Sequence, residues 1–532
     1  MIQRAFLRLL VLTLFTFVGI SHPLGFMAPP ASRADWPYPR HDLTNTSASD
    51  PLKWQLLDTP RVLWQVAAPE NHHFGSLFPV AADVDGDGQA EYLIGVNNYT
   101  DENYLLYAFN IEDGSVLWQH NVGDWFQWST PVISDVDSDG QPDVVLATNS
   151  QVMALRGDNG SPLWVQPFPN EGMGMTVADV DRDGWLEVVI NDYGDPQTIY
   201  LLNGQDGSVI WSQYTGGSAY NIPTVGDING DGRHEILSHS HLYDPSRERL
   251  LVWDQRGTEL WTHLASPSPG QQAQAPPELG YVPDYGYIST SIADFDADRE
   301  FEVGWGTRCH YYLLNGEGDV LWQVPMVQGY GVEVRHLADG TTWAENHGIG
   351  GPSGYAAAIG NLDTDPQLEV VISLSPEYRA DWYAITQTYT ITHITPANVI
   401  WALDGEDGHL EWAFEGEYPS GLNFESMREP ILVDLTADGL LDILAISSDG
   451  NLYAVEGDTG DQLMAYPVSD PSPYPWFFGN PGSHLTFVGW EDKGLVLYVS
   501  EVCTGSACIA TLHALEVAAR VFDIYLPVVH KN

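Results

Sequence analysis

FGSLFPVAADVDGDGQAEYLIGV, residues 74–96, joins two apolar runs through a loop in which aspartates alternate. Asp83, Asp85 and Asp87 stand at loop positions 1, 3 and 5, Gly88 at position 6 and Glu91 at position 9. The flanking runs read as β-strands, so the unit is strand, tight acidic loop, strand. The same phrase starts again at Asp135, Asp179, Asp227, Asp294, Asn361 and Asp434, at intervals of 52, 44, 48, 67, 67 and 73 residues.

A second phrase closes the units, with Gly four residues before Trp. The pairs are Gly114/Trp118, Gly160/Trp164, Gly207/Trp211, Gly257/Trp261, Gly318/Trp322 and Gly408/Trp412, and Met464 takes the Trp slot after Gly460. Asp/Asn-Gly between β-rich runs marks a hairpin, because Gly accepts positive φ at low cost. Each unit therefore supplies four antiparallel strands, and four strands at this period describe a propeller blade. The recurring Trp is too large to leave in solvent and is expected between blades.

The segment RVLWQVA, from Arg61, reads as a last strand with no blade before it, and His484 to Val517 as three strands with no acidic loop. Pairing them would close the ring and hide two sheet edges. The expectation is an all-β fold, a single β-propeller of eight blades, seven with acidic loops and one degenerate. Seven blades follow instead if the C-terminal region is an appended element.

Carboxylates this crowded repel one another unless a hard cation neutralises them, and an all-oxygen loop suits Ca²⁺ better than Mg²⁺ or Zn²⁺. The expected ligands of the first loop are Asp83, Asp85, Asp87, Glu91 and the Gln89 carbonyl; of the second, Asp135, Asp137, Asp139, Asp143 and the Gln141 carbonyl. The third offers Asp179, Asp181, Asp183, Glu187 and the Trp185 carbonyl, the fourth Asp227, Asn229, Asp231, Glu235 and the Arg233 carbonyl. Three loops depart from the pattern. The fifth (Asp294, Asp296, Asp298, Glu302) has Arg299 where Gly belongs, and the sixth (Asn361, Asp363, Asp365, Glu369) has Pro366 there. The seventh keeps Asp434, Asp438 and Asp442 but has Thr436 at position 3. Four calcium sites follow from the complete loops, and up to seven in all.

The 532 residues exceed what one compact core usually supports, which again favours a repeated architecture. With 72 acids against 20 bases, the net charge of −52 disfavours nucleic acid and anionic membrane surfaces as partners. Roughly a third of those acids stand in the loops. Arg4 and Arg8, the apolar run Leu9 to Ile20 and the small residues around Ala28 to Ala34 have the layout of a secretory signal. The run is shorter than the ~20 residues of a membrane span. We therefore divide the chain into a signal peptide (1–34), a lead-in (35–60), the propeller (61–522) and a short tail (523–532), and expect a secreted or cell-surface monomer without membrane insertion. Cys503 and Cys508 suit a small disulfide-closed loop.

These loops resemble the FG-GAP/VCBS repeat family, whose integrin-like loops read Asp-x-Asp-x-Asp-Gly-x-x-Asp. The Gly-x-x-x-Trp phrase and the opening WPYPRHDLTNT, from Trp36, resemble pyrroloquinoline-quinone-like (PQQ-like) propeller repeats. The resemblance implies a secreted propeller used in adhesion, lectin-like binding or polysaccharide cleavage. The chain lacks the vicinal Cys-Cys of quinone dehydrogenases and the C-x-x-C-H of c-type haem, so neither PQQ nor haem is expected.

The face opposite the acidic loops should carry any ligand. Its connecting segments hold Trp125, Trp128, Tyr285, Trp343, Tyr378, Trp382 and Trp476, flat surfaces on which sugars stack, with Asp124, Glu345 and Asn423 as polar partners. Arg308, His310, Arg335, His347, Arg379 and Arg428, with His239 and His241, could bind an acidic sugar or serve β-elimination. No nucleophile motif, metalloprotease signature or phosphate loop is present, and no catalytic residue is assigned. The favoured function is a calcium-stabilised, non-catalytic module binding extracellular glycan or protein. The alternative is a rhamnogalacturonan-lyase-like polysaccharide lyase.

Overall fold

The computed structural model describes residues 53–521, apart from 69–72, 75–78, 99–102, 126–129, 195–196, 218–220, 244–245, 267–289, 308–309, 327–330, 337–341, 348–356, 375–376, 384–387, 396–398, 417–429, 448–449, 469–484, 491 and 505–506. The chain divides into two units, Met1–Ala31 and Ser32–Asn532. The first, which holds most of the expected signal, lies outside the described residues, as does the tail 523–532.

The described elements are all strands; they make eight antiparallel blade sheets in a propeller, seven of four strands and one of five, and two separate two-stranded hairpins. Blade 1 consists of Val80–Ala82, Glu91–Asn98, Asn103–Asn110 and Val116–Asn121, with His73–Phe74 also pairing along its second strand. Blades 2 to 7 span 132–167, 172–214, 224–264, 291–325, 358–415 and 431–467. Blade 8 takes Thr486–Trp490, Lys493–Thr504 and Ala507–Arg520 from the C-terminal region and its outer strand, Trp54–Ala67, from the start of the described chain. The outer strand begins at Trp54, ahead of the expected Arg61, and pairs Trp54 with Arg520. The ring closes through a hydrophobic cluster that unites Ile431 and Leu444 of blade 7, Phe487 and Val496 of blade 8, and Ala81 and Tyr92 of blade 1.

Burial explains why the strands differ in composition. First and second strands are sandwiched between neighbouring sheets and buried throughout, as in Val80–Ala82 and Asp143–Ala147, so they read as continuous apolar runs. Outer strands such as Val116–Asn121 are exposed or half-buried except at the Trp. First strands of successive blades also touch one another, which places them around the axis.

Trp64, Trp118, Trp164, Trp211, Trp261, Trp322 and Trp412 each lie against the turn Gly of the following blade, from Gly114 through to Gly460. Each indole N–H also donates to a carbonyl of that neighbouring turn, at 2.6 to 3.1 Å. A register shift just before each Trp, and before Met464, marks a β-bulge in every outer strand.

Two hairpins explain long intervals in the repeat. Gly331–His336 with Thr342–His347 lies between blades 5 and 6, and Glu377–Tyr383 with Thr388–Thr395 is inserted between the second and third strands of blade 6. Sequence alone leaves both as loops. In blade 8, the register sets Cys503 directly opposite Cys508. Cys309 lies outside the described residues.

Candidate metal centres

Each acidic loop links the first and second strands of its blade, so the seven loops share one end of the ring with the Gly turns. Their backbone amides fix the carboxylates in a repeated frame. The position-9 carboxylate accepts the N–H of position 2, as Glu91 does from Val84 at 2.9 Å, Glu187 from Val180 at 2.9 Å and Asp442 from Leu435 at 2.8 Å. Asp143, Glu235, Glu302 and Glu369 accept likewise from Val136, Ile228, Phe295 and Leu362. Position 1 accepts the N–H of position 6, through Gly88, Gly140, Gly184, Gly232, Arg299 and Gly439. Position 3 takes the N–H of position 5, as in Asp87 to Asp85 at 3.0 Å, and position 5 takes that of position 7, as in Gln89 to Asp87 at 2.8 Å.

Both oxygens of Asp83 and of Asp135 accept loop amides, whereas the position-1 aspartates of the third, fourth, fifth and seventh loops anchor through one oxygen and leave the other for a ligand. Buried oxygens without a partner remain on Asp179, Asp227, Asp294 and Asp434 at position 1, and on Glu369 at position 9. A buried carboxylate oxygen without a donor is costly, and a cation removes the cost. Ligand atoms of Asp83, Asp85 and Glu91 lie within 4.8 Å of one another, as do those of Asp135/Asp137/Asp143, Asp179/Asp181/Glu187 and Asp294/Asp296/Glu302. These clusters could hold a metal ion. The residues fit a hard divalent cation, because the donor sets are oxygen alone.

The fifth loop keeps the frame despite Arg299, which adopts φ 79, with Ala297 at φ 63. Ser138, Arg182 and Ala437 take the same left-handed conformation at position 4 of the second, third and seventh loops. L-residues there cost about 1–2 kcal/mol each, so the surrounding contacts must enforce the conformation.

Burial, reinforced by neighbouring carboxylates, raises the position-9 acids. Glu91 and Glu369 reach about 8, Asp143, Glu187, Glu235 and Glu302 about 7, and Asp442 about 6. A cation would reverse this effect by favouring the ionised form.

Three interactions escaped sequence reading because they join residues far apart in sequence. Arg156, on the third strand of blade 2, lies 3.0 Å from Asp139 and 3.6 Å from Asp137. Arg182 of the third loop lies 3.9 Å from Asp227 of the fourth. Where blade 8 lacks an acidic loop, Trp490 donates to Gln89 at 2.8 Å and the Lys493 ammonium sits 4.2 Å from the centre of the Trp490 ring.

At the opposite end, the structure places Trp125 on the connection from blade 1 to blade 2. Its ring meets Tyr104 edge-on with centroids 6.1 Å apart, and its backbone N–H donates to the Asp124 carboxylate, which also accepts from the Ser150 hydroxyl at 2.7 Å. Glu171 keeps a buried oxygen without a partner, and burial, with Asp124 nearby, pushes it up to about 7. Tyr193 donates its N–H to the Glu171 carbonyl and is 43% exposed. Glu171 and Tyr193 carried no periodic signal. Trp343, Tyr378 and Trp382, with Arg335, Glu345, His347 and Arg379, fall on the two inserted hairpins, one between blades 5 and 6 and one within blade 6. His239 is buried in the second strand of blade 4. Trp128, Tyr285, Trp476, Arg308, Asn423 and Arg428 lie outside the described residues.

Residues 135–190 and 179–238 match the FG-GAP-like repeat, and residues 384–474 match the outer membrane protein assembly factor BamB, a PQQ-type repeat. The chain thus carries repeats of both kinds, as the loops and Gly-Trp phrases imply. No curated protein matches it. Among solved structures, it is similar to a quinohemoprotein alcohol dehydrogenase of Pseudomonas putida (10% identity, TM-score 0.60, covering 94% of this chain and 82% of that one). A europium-containing methanol dehydrogenase (10%, TM-score 0.59, 91% and 98%) and a V. cholerae biofilm matrix protein (14%, TM-score 0.51, 86% and 91%) are also similar. At these identities the likeness establishes the fold alone.

Proposed function

We propose that this protein is an exported, calcium-stabilised propeller that binds an extracellular carbohydrate or protein without chemical conversion. Calcium is favoured over magnesium because the loops offer many oxygens in a flexible backbone frame. The observation that carries the calcium reading is the buried, unpartnered carboxylate oxygen recurring at position 1 of four loops. A loop with its ion bound becomes a staple between the first two strands of its blade.

Ligand binding is assigned to the opposite end, around Trp125, Tyr104 and the exposed Tyr193. Aromatic faces beside the hydrogen-bonding groups of Asp124 and Glu171 suit a glycan. An extracellular role on this fold is in keeping with the biofilm matrix protein noted above.

Retention on immobilised polysaccharides, with and without chelator, tests the reading. Retention that Trp125→Ala reduces at unchanged melting temperature supports it. Release of unsaturated sugar ends would replace it with a lyase, and retention indifferent to Trp125→Ala would remove the assigned surface.

A further inference from the structure

Six of the seven acidic loops share one backbone path, with left-handed residues at both positions 4 and 6: Gly86 and Gly88, Ser138 and Gly140, Arg182 and Gly184, Gly230 and Gly232, Ala297 and Arg299, Ala437 and Gly439. The sixth loop has neither. Thr364 and Pro366 stand at those positions, and Pro is confined to negative φ.

Pro366 also removes the position-6 N–H that holds the position-1 carboxylate in the other six loops. Position 1 of this loop is Asn361, whose amide brings donors instead of a second acceptor oxygen. Its Nδ2 donates to the Asp365 carbonyl at 2.6 Å and to the Gln367 carbonyl at 3.2 Å. Two carbonyls can be met only by the nitrogen end of the amide, which fixes its orientation. Gln367 is position 7, whose carbonyl serves as a ligand in the metal-binding frame. The loop is further held by Leu441 N–H to the Asn361 carbonyl at 3.1 Å and by the Gln367 side chain to Glu406 at 3.2 Å. Charge does not separate it from its neighbours, since it carries three acids like the fourth and seventh loops. Two buried oxygens are left over, Glu369 Oε1 and the side-chain Oε1 of Gln367, and each needs only a single donor.

We infer that the Asn361 amide occupies the position a cation takes in the other loops, so that the sixth loop is latched without metal while the remaining six bind calcium. This rests on the calcium reading of those six. The pairing of Asn361 with Pro366 is then a matched substitution, because losing the position-6 donor makes a donor at position 1 useful.

The test compares bound calcium per chain, by equilibrium dialysis and elemental analysis of full-length protein, in the wild type and two double variants. Asp363→Asn with Asp365→Asn should leave the count unchanged, whereas Asp83→Asn with Asp85→Asn should lower it by one. Loss of one ion from the sixth-loop variant overturns the inference. Absence of bound calcium from the wild type overturns the underlying reading instead. Asn361→Ala provides a second check: it should lower the melting temperature at an unchanged calcium count, and a lower count would again place an ion in that loop.

Discussion

Replacing Gly160 by Ala tests whether the Trp–Gly contacts between blades hold the ring together. Gly160 sits at φ +66, and a Cβ there would meet Trp118 Cε3 at 2.6 Å and Cδ2 at 2.8 Å. The left-handed conformation costs an L-residue about 1–2 kcal/mol. Overpacking a rigid ring pinned by its N–H bond to the Gly157 carbonyl adds about 1–3 kcal/mol. The variant should therefore lose roughly 2–5 kcal/mol, a large share of a ~5–15 kcal/mol margin. Trp118→Ala alone should cost about 3–5 kcal/mol, since the ring is 7% exposed. In the double variant the clash has no partner, so the loss should fall about 1–3 kcal/mol short of the sum. Urea denaturation at saturating calcium, comparing midpoints at constant slope, measures all three. A Gly160→Ala midpoint matching the wild type, or strict additivity, would refute the reasoning.

Calcium removal by EDTA should lower the melting temperature markedly, because a tenfold excess of ion over its dissociation constant contributes about 1.4 kcal/mol per site; an unshifted transition would sink the structural role. The pH dependence of the metal-free protein follows from the position-9 acids, whose folded values are raised to about 6 to 8. A raised carboxylate contributes stability that is complete below its ordinary range, near 4 to 4.5, and lost as pH climbs through the folded value. Melting temperatures in EDTA should accordingly fall from pH 5 to pH 9, and calcium should flatten the decline; a rise over that interval would contradict the burial of Glu91 and its counterparts.

The sequence alone carried the place of every acidic loop and the strand order within a blade, and favoured eight blades over seven. The repeat signals are local: short apolar runs, Asp spacing and Gly turns are written within a few dozen residues of one another. It also foretold the closing blade, because RVLWQVA and His484 to Val517 were each incomplete as blades and complementary as a pair. What only the tertiary structure decided lies between blades. Gly114 and Trp118 are neighbours in one phrase, yet Gly114 packs on Trp64 and Trp118 on Gly160, one sheet further round. Arg156 reaches Asp139 and Glu171 comes near Asp124 because strand pairing and ring closure bring separate segments together. The departure of the sixth loop was visible as Asn361 and Pro366, but the direction of the amide depended on which carbonyls the folded loop turned inward. Spacing fixes which groups can meet within a turn, whereas contacts across the ring depend on how the sheets pack side by side.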